Sequence, residues 1–166
     1  MMAGMGLTIR PAEAEDADGI WAVIGPIIAA GEAYALPRQW SREQALAYWL
    51  APPHVVFVAE AGGEILGSFY IQPNQQGGGA HVANAGFATA PAARGRGIAR
   101  AMGELALREA KARGFRAMQF NFVVSSNGPA VHLWASLGFE TLCRLPEAFA
   151  HPTLGHVDAL VMFRRL

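Results

Sequence analysis

The residues best suited to chemistry lie in a glycine-rich segment at residues 87–100. Arg94, Gly95, Arg96 and Gly97 separate a stretch with strand character from a stretch with helical character. The first amides of a helix have no partner inside the helix, so such a loop offers free N–H groups to an anion. Glycine lets the backbone come close to phosphate oxygens, and the arginines add positive charge. The segment therefore predicts a pyrophosphate site.

Two common phosphate-binding loops do not fit this segment. A Walker A loop requires Gly-Lys-Ser/Thr, which the sequence lacks. A dinucleotide fingerprint requires a small residue where Arg100 stands. A third pattern, Arg-x-x-Gly-x-Ala, is satisfied by Arg94, Gly97 and Ala99. The structural alternative is a glycine-rich turn whose arginines are only solvated.

Two asparagines stand in stretches that otherwise have strand character. Asn84 precedes the glycine-rich segment, and Asn121 lies in the next apolar stretch. Asparagine is depleted in strands, and central parallel strands are buried on both faces. A buried amide without partners costs about 1–3 kcal/mol. We therefore expect a polar site on neighbouring strands; the alternative is one hydrogen-bonded side-chain pair that ties the strands together.

The elements that position these residues follow from hydrophobic periodicity and turn signals. Strands are predicted at 7–10, 55–60, 64–72, 81–89, 117–124, 139–145 and 157–164. Helices are predicted at 15–30, 42–50 and 97–113, and a last one begins at 127–129 and ends at Gly138. Pro26 is expected to kink or interrupt the first helix, and residues 73–80 to form a mobile loop. The predicted fold is α/β, a mixed sheet flanked by helices on both faces.

Composition and charge limit the class of protein. The 166 residues are 52% hydrophobic and 16% charged, which suits one domain over residues 1–166. Thirteen basic and thirteen acidic residues give net charge +0, so we expect neither nucleic acid nor an anionic membrane as partner. Residues 1–6 lack the charged segment of a secretory signal, and the apolar run 20–30 is too short to span a membrane. With Cys143 as the sole cysteine and no metal spacing among the histidines, we expect a cytoplasmic protein without a metal.

The pattern Arg-x-x-Gly-x-Ala resembles motif A of the GNAT superfamily of acyl-CoA N-acetyltransferases. Residues 127–139, with an asparagine, an alanine three positions on and a closing Leu-Gly-Phe, resemble the second signature of that superfamily. Residues 8–17 resemble its N-terminal strand and helix. The resemblance extends from Leu7 to Leu166. It implies the GNAT fold, with about seven strands splayed between the strands of Asn84 and Asn121, and acetyl-CoA as cosubstrate.

The resemblance also implies where the cofactor binds. The pantetheine arm would lie in the gap between the splayed strands, and the loop amides would hold the pyrophosphate. Trp134 stands where many members carry a tyrosine that protonates the leaving thiolate; an indole cannot do so, and we expect Trp134 to line the channel or to be core. The residues expected to contact the cofactor are Phe87, Ala88, Thr89, Arg94, Gly95, Arg96, Gly97, Ile98, Ala99, Arg100, Asn127 and Trp134.

A closer resemblance is to the fungal N-acetyltransferases of L-azetidine-2-carboxylate and related proline analogues. It is carried by the strands around the two asparagines and by residues 157–159. Those enzymes carry an asparagine in each corresponding strand. From residue type and strand position we expect Asn84 and Asn121 to act in catalysis and, with Asp158, to bind the acceptor; an interface or structural ion pair is the alternative for Asp158. Cys143 is expected to be inert.

The predicted function is therefore acetyl transfer from acetyl-CoA to the amine of a small molecule, an amino or imino acid. The transfer would be direct, in a ternary complex, and the protein could be a homodimer. Two other functions stay open. One is a non-catalytic acyl-CoA-binding or sensing domain, because the usual tyrosine is missing. The other is nucleic-acid binding through residues 94–97, against which the zero net charge argues.

Overall fold

Seven strands form one mixed sheet in the computed structural model, which describes residues 6–166. The strands are β1 (Thr8–Pro11), β2 (Val55–Ala61), β3 (Glu64–Pro73), β4 (Val82–Thr89), β5 (Ala117–Val124), β6 (Glu140–His151) and β7 (Gly155–Arg165). Their order in the sheet is β1-β2-β3-β4-β5-β7-β6, with β4 and β5 parallel and the other neighbours antiparallel. The expectation for the first five residues lies outside the described part of the chain.

Four helices cover the sheet: α1 (Ala17–Ala30), α2 (Arg42–Trp49), α3 (Ile98–Ala112) and α4 (Gly128–Ser136). Side chains alternate between the two faces of a strand, so each face buries its own apolar cluster. On the α1–α2 face, Ile20 and Trp49 pack with Val58 and Tyr70 of the strands. On the α3–α4 face, Met102 and Trp134 pack with strand residues that include Phe69, Phe120 and Met162. This architecture confirms the predicted α/β fold.

The helix α3 follows the glycine-rich loop and begins and ends within one residue of the predicted bounds, 97–113. Its apolar stripe is buried at Ile98, Met102 and Ala106, and its polar residues face solvent. Gly97 precedes it with φ +77° and Gly114 follows it with φ +90°, both in the left-handed region that favours glycine. The pattern of residue types therefore sets both the face that α3 buries and the residues between which it runs.

The structure corrects two local predictions, the interruption of the first helix and the lengths of the last two strands. The helix α1 continues through Pro26 without interruption. Pro26 removes one backbone hydrogen bond, but Ala22, whose carbonyl loses its partner, is exposed, so water can satisfy that carbonyl. The predicted loop is present and contains a short 3-10 turn at Gly77–Gly79, and its mobility stays a prediction. Strands β6 and β7 are longer than predicted, because a bulge between Leu145 and Phe149 lets β6 continue past Pro146.

Candidate active site

The parallel strands β4 and β5 pair at one end and part toward the other. Their register contains two residue pairs, Val82↔Ala117 and Ala83↔Met118, although each strand has eight residues. Beyond these pairs a gap opens between the strands and runs to the end of β4, where the glycine-rich loop begins. The structure thus has the splay that was expected between the strands of Asn84 and Asn121.

The side chain of Asn84 stands at the point where the two strands part. Its Nδ2 donates to the backbone carbonyl of Gln119, the residue after the last paired position of β5, at 3.0 Å. Its Oδ1 accepts from Gln72 Nε2 of β3 at 3.2 Å. Asn84 therefore ties β4 to β5, as the structural alternative expected, but it does so through a backbone carbonyl where the ladder has stopped and not through a pair of side chains.

Asn84 belongs to a row of side-chain amides that crosses β3, β4 and β5. Gln119 Nε2 donates to Asn121 Oδ1 at 2.9 Å, and Asn121 Nδ2 donates to Asn74 Oδ1 at 2.6 Å. Within residues 6–166, every buried side-chain nitrogen or oxygen has a hydrogen-bond partner. Asn84 is half-buried and Asn121 is exposed, so the premise of burial on both faces was wrong. The two asparagines share one face of the sheet but do not bond to each other directly.

The pairing of β3 with β4 determines which backbone groups of β4 face the gap. Asn74 N donates to Val82 O at 2.8 Å, and the register stays regular to Thr89. In an antiparallel ladder, residues that bond to the partner strand alternate with residues that face away from it. The even-numbered residues of β4 therefore face β3, whereas Ala85, Phe87 and Thr89 direct their N–H and C=O groups toward the gap.

Of the three β4 residues expected to contact the cofactor, two have their backbone directed into the gap. They are Phe87 and Thr89. Ala88 is opposite Ser68 of β3, so its backbone groups face that strand, and its side chain is buried on the α1–α2 face. The backbone N–H and C=O groups of Ala88 are therefore not directed at a cofactor in the gap.

A tyrosine that the sequence gave no reason to select contacts the gap. The hydroxyl of Tyr34, in the segment between α1 and α2, donates to the carbonyl oxygen of Phe87. The two residues are 53 positions apart, and no periodic pattern surrounds Tyr34. Burial raises the pKa of the Tyr34 phenol above its ordinary value, and the nearby phenol of Tyr48 adds to this, while the hydrogen bond to Phe87 lowers it. The side chain therefore stays a neutral phenol at neutral pH.

Tyr34 lies beside a cluster of aromatic side chains on the α1–α2 face. Its ring meets the ring of Trp49 edge-on, with centroids 6.2 Å apart. Tyr48 and Tyr70 join their hydroxyls at 3.2 Å, and His54 stacks on Tyr70 at 3.9 Å. Mutual burial and proximity raise the pKa of Tyr70 as well. Each ring of this cluster contacts at least one other ring.

Gly86 of β4 leaves space for the ring of Tyr70, which lies on β3. A Cβ atom at Gly86 would lie 2.5–2.7 Å from the ring and hydroxyl of Tyr70, closer than real atoms approach. The two residues are direct cross-strand partners. A glycine at this strand position is therefore explained by the close approach of the Tyr70 ring rather than by backbone flexibility.

The glycine-rich loop has the conformation of an anion site. Gly95 and Gly97 both have φ +77°, and a Cβ atom at either would meet no protein atom within 4 Å. The first amides of α3, from Ile98 onward, have no side chain capping them. Arg94 and Arg96 are exposed beside this helix end. Open space over free N–H groups and nearby positive charge fit a pyrophosphate.

The structure places three further residues that were expected to bind the cofactor. Trp134 is 8% exposed and packs against Phe87 and Phe120, with ring centroids 4.7 and 4.8 Å apart, so it is core on the α3–α4 face. Asn127 precedes α4, but its side chain makes no capping hydrogen bond. Arg100 Nη2 donates to Ser136 Oγ at 2.6 Å, which ties α3 to α4.

Asp158 is held in an ion pair away from the asparagines. Its carboxylate accepts from Arg144 Nη1 at 2.9 Å and from the backbone N–H of Glu147 at 2.9 Å. These contacts hold the pKa of Asp158 below its ordinary value, the Glu147 bond more than the arginine. On β7 it alternates in phase with Leu160 and Met162, which are buried on the α3–α4 face, whereas Asn84 lies on the other face. The structure thus does not bring Asp158 together with the asparagines.

The described residues contain neither a metal-binding cluster nor a membrane-spanning helix. Within residues 6–166, no group of three or more His, Cys, Asp or Glu residues could hold a metal ion. In the same range, no helix has the length and apolar character needed to cross a membrane. Cys143 is an exposed free thiol on β6.

Comparison with known proteins agrees with the fold and the loop. Residues 24–139 match the model of the acetyltransferase (GNAT) family. The N-acetyltransferase aca1 of Schizosaccharomyces pombe is 39% identical over 100 residues, which are 58% of this chain and 47% of that protein. The chain therefore aligns with about half the length of this curated relative.

The similarity to solved acetyltransferase structures extends over nearly the whole chain. A GCN5-related N-acetyltransferase from Kribbella flavida superposes with a TM-score of 0.92 at 45% identity, covering 96% of this chain and 98% of that one. The structure of yncA from Salmonella typhimurium with its cofactor acetyl-CoA superposes with a TM-score of 0.85 at 23% identity, covering 97% and 94%; at this identity the likeness concerns the fold. Since the family model matches well over half of a sequence whose sheet, gap and loop have the form described above, the chain belongs to the acetyltransferase (GNAT) family.

Proposed function

We propose that the chain is an acetyl-CoA-dependent N-acetyltransferase that acts on the amine of a small molecule, an amino or imino acid. The observation that carries this proposal is the β4–β5 gap. It begins at the amide row around Asn84, passes the Phe87 backbone, and ends at the free amides of α3. Polar side chains, an unpaired strand and an anion site thus follow one another along one opening, in the order that an acceptor, a thioester arm and a pyrophosphate require.

The cofactor end of the gap is supported by the loop geometry. Acetyl-CoA supplies the acetyl group as a thioester. In our proposal the amides of residues 95–100 hold its pyrophosphate, and Arg94 and Arg96 add positive charge. Thr89 and Phe87 offer backbone groups to the arm, and Trp134 and Asn127 flank it. The yncA structure, which shares this fold, contains acetyl-CoA as its cofactor, and this supports acetyl-CoA as the cosubstrate here.

The acceptor amine must lose a proton before it can attack the thioester. An amine of pKa about 10.4 is mostly protonated at pH 7, and its deprotonation costs roughly 4–5 kcal/mol. We place the amine, or a water that takes its proton, against the amide row, with Asn84 and Asn121 as its contacts. The Phe87 N–H, which faces the gap, is a suitable donor to the thioester carbonyl. A contact of Asp158 with the acceptor remains a prediction, and its ion pair with Arg144 is the competing role.

A thiol-release assay tests the function. The chain would be mixed with acetyl-CoA and, one at a time, with amino acids, imino acids and polyamines, and free CoA would be measured. Amine-dependent release for at least one amino or imino acid is the expected result. In parallel, CoA at one hundred times its Kd should stabilise the fold by about 2.7 kcal/mol.

The two readouts separate the alternatives. Stabilisation without release for any amine would favour a non-catalytic acyl-CoA-binding domain, for which the buried Trp134 in place of a tyrosine is the supporting observation. No stabilisation by CoA would refute the assignment of the loop. Release with polyamines alone would leave the transferase standing and refute the amino-acid acceptor.

A further inference from the structure

We propose that Tyr34 is a catalytic residue of the acetyl transfer, and that its hydroxyl gives the proton to the departing thiolate sulfur. This inference rests on the proposed function. It assigns a proton donor to a segment outside the glycine-rich loop and outside α4, where Trp134 offers no ionisable hydroxyl.

The first step of the argument is the position of the Tyr34 hydroxyl. It bonds to the carbonyl of Phe87, and that carbonyl belongs to the odd-numbered residues of β4 whose backbone groups face the gap. The β4–β5 ladder has ended at Ala83↔Met118, so the backbone of β5 does not pair with the Phe87 carbonyl. The hydroxyl therefore lies beside the part of the gap in which the thioester would sit. A ligand group that contacts the Phe87 backbone would be close to this hydroxyl.

The second step is the protonation state of the phenol. The contacts of the Tyr34 side chain are the Phe87 carbonyl and the Trp49 ring, and the phenol of Tyr48 lies nearby. A phenol of ordinary pKa is already protonated at neutral pH, and burial raises the pKa of Tyr34 further, so its side chain is present as a neutral O–H donor and not as a phenolate. The O–H bond rotates about the ring–oxygen bond, so the proton can leave the Phe87 carbonyl for another acceptor in the gap.

The third step is the balance of the reaction. The amine nitrogen forms the new C–N bond with the acetyl carbon, and the C–S bond breaks with its electron pair on sulfur. The Tyr34 proton moves to that sulfur, which leaves as the free thiol. The proton that the nitrogen loses on becoming an amide returns to the Tyr34 oxygen, directly or through one water. No further reactant is needed, and the phenol is restored after each transfer.

The first test compares Tyr34→Phe with Tyr48→Phe. Both variants remove one hydroxyl from the same aromatic cluster, but the Tyr48 hydroxyl bonds to Tyr70 and not to the gap backbone. Tyr34→Phe should lower kcat by about 100-fold or more, the scale of losing a general acid, with unchanged Kd for CoA. Tyr48→Phe should keep the rate of the wild type once equal amounts of folded protein are compared. A Tyr34→Phe protein with wild-type kcat would refute the proposal.

The second test keeps the hydroxyl and changes its acidity. Fluorotyrosines of increasing acidity would be incorporated at position 34 or, as the control, at position 48. If Tyr34 gives a proton in the transfer, the single-turnover rate at fixed pH should change steadily with phenol acidity at position 34 and stay flat at position 48. The fluorine resonance at position 34 should also shift when acetyl-CoA is added, a readout that needs no turnover.

The outcomes are distinguishable. A flat rate series at position 34, even with an inactive Tyr34→Phe variant, would show that the hydroxyl only supports the Phe87 carbonyl and would overturn the proposal. An unmoved fluorine resonance at a saturating acetyl-CoA concentration would do the same. A wild-type chain that binds CoA but transfers acetyl to no amine would refute the proposed function itself, whereas an active wild type with an equally active Tyr34→Phe variant refutes the role of Tyr34 alone.

Discussion

Replacing Gly97 by aspartate and by asparagine separates charge from backbone conformation in the glycine-rich loop. Gly97 precedes α3 with φ +77° and ψ +9°, and a Cβ atom there would meet no protein atom. Asparagine and aspartate are the side-chain residues that tolerate the left-handed region best. The two variants should therefore pay a similar strain and fold alike, so that they differ only by one negative charge at the N-terminus of α3.

That charge should act in opposite directions with and without ligand. In the free protein, a carboxylate at a helix N-terminus is favourable by about 0.3–1 kcal/mol, so Gly97→Asp should be slightly more stable than Gly97→Asn. Beside a bound pyrophosphate, two negative charges about 4 Å apart repel by about 1 kcal/mol in water and about 4 kcal/mol at an effective dielectric constant of 20. Gly97→Asp should then bind CoA roughly 5- to 1,000-fold more weakly than Gly97→Asn.

Isothermal titration with CoA and thermal unfolding of both variants measure these effects. The repulsion should also shrink when salt is added, because ions screen exposed charges. Equal CoA affinity of the two folded variants would refute the placement of the pyrophosphate at this helix end. A lower stability of Gly97→Asp without ligand would refute the reasoning about the helix N-terminus.

Three further substitutions test other parts of the site and fold. Asn84→Ala should lower turnover by about 10²–10³-fold if the amide acts on the acceptor, and should lower the free energy of unfolding by about 1–3 kcal/mol because a strand carbonyl loses its donor; a destabilised variant with full kcat would show the second role alone. Gly86→Ala should cost about 1–3 kcal/mol because the new methyl group meets the Tyr70 ring, and an unchanged melting temperature would mean that the ring does not lie there. Asp16 accepts two hydrogen bonds from Arg10, which hold its pKa below the ordinary value. Asp16→Asn should therefore cost about 1.5–3 kcal/mol at pH 7, and urea unfolding should show that the difference shrinks as the pH falls below about 3.9, because the stabilisation is lost when the carboxylate of the wild type is protonated.

The parts of this fold that the sequence predicts are those determined by local pattern. The α3 helix combines an apolar stripe with glycines at both ends, and Ser41 and Gln44 form the capping box of α2 that their spacing predicts. Pro26 shows the opposite case. A proline inside a helix lowers helix stability, but burial of the apolar residues of α1 against β3 and α2 outweighs this loss. That packing depends on elements far along the chain.

The site was predictable in its residue types and not in its contacts. Asn84 stands out because asparagine is unusual in a strand, yet its partner is a backbone carbonyl that carries no sequence signal. Gly86 is explained only when its cross-strand neighbour Tyr70 is known. Tyr34 reaches Phe87 because a segment without periodicity passes over the sheet, and neither residue type nor spacing marks such a contact.

The β4–β5 gap also divides the sheet mechanically. Strands β1–β4 form one ribbon and β5, β7 and β6 form another, and the backbone joins the two ribbons through two residue pairs at one end. The two ribbons should separate most easily at the unpaired end of β4 and β5, because the backbone hydrogen bonds hold them together only at the other end. The amides of Ala85 and Phe87 should therefore exchange with deuterium faster than their central position suggests, and a molecule held between the ribbons should slow them. The middle of this sheet, rather than its edges, is then its most compliant part.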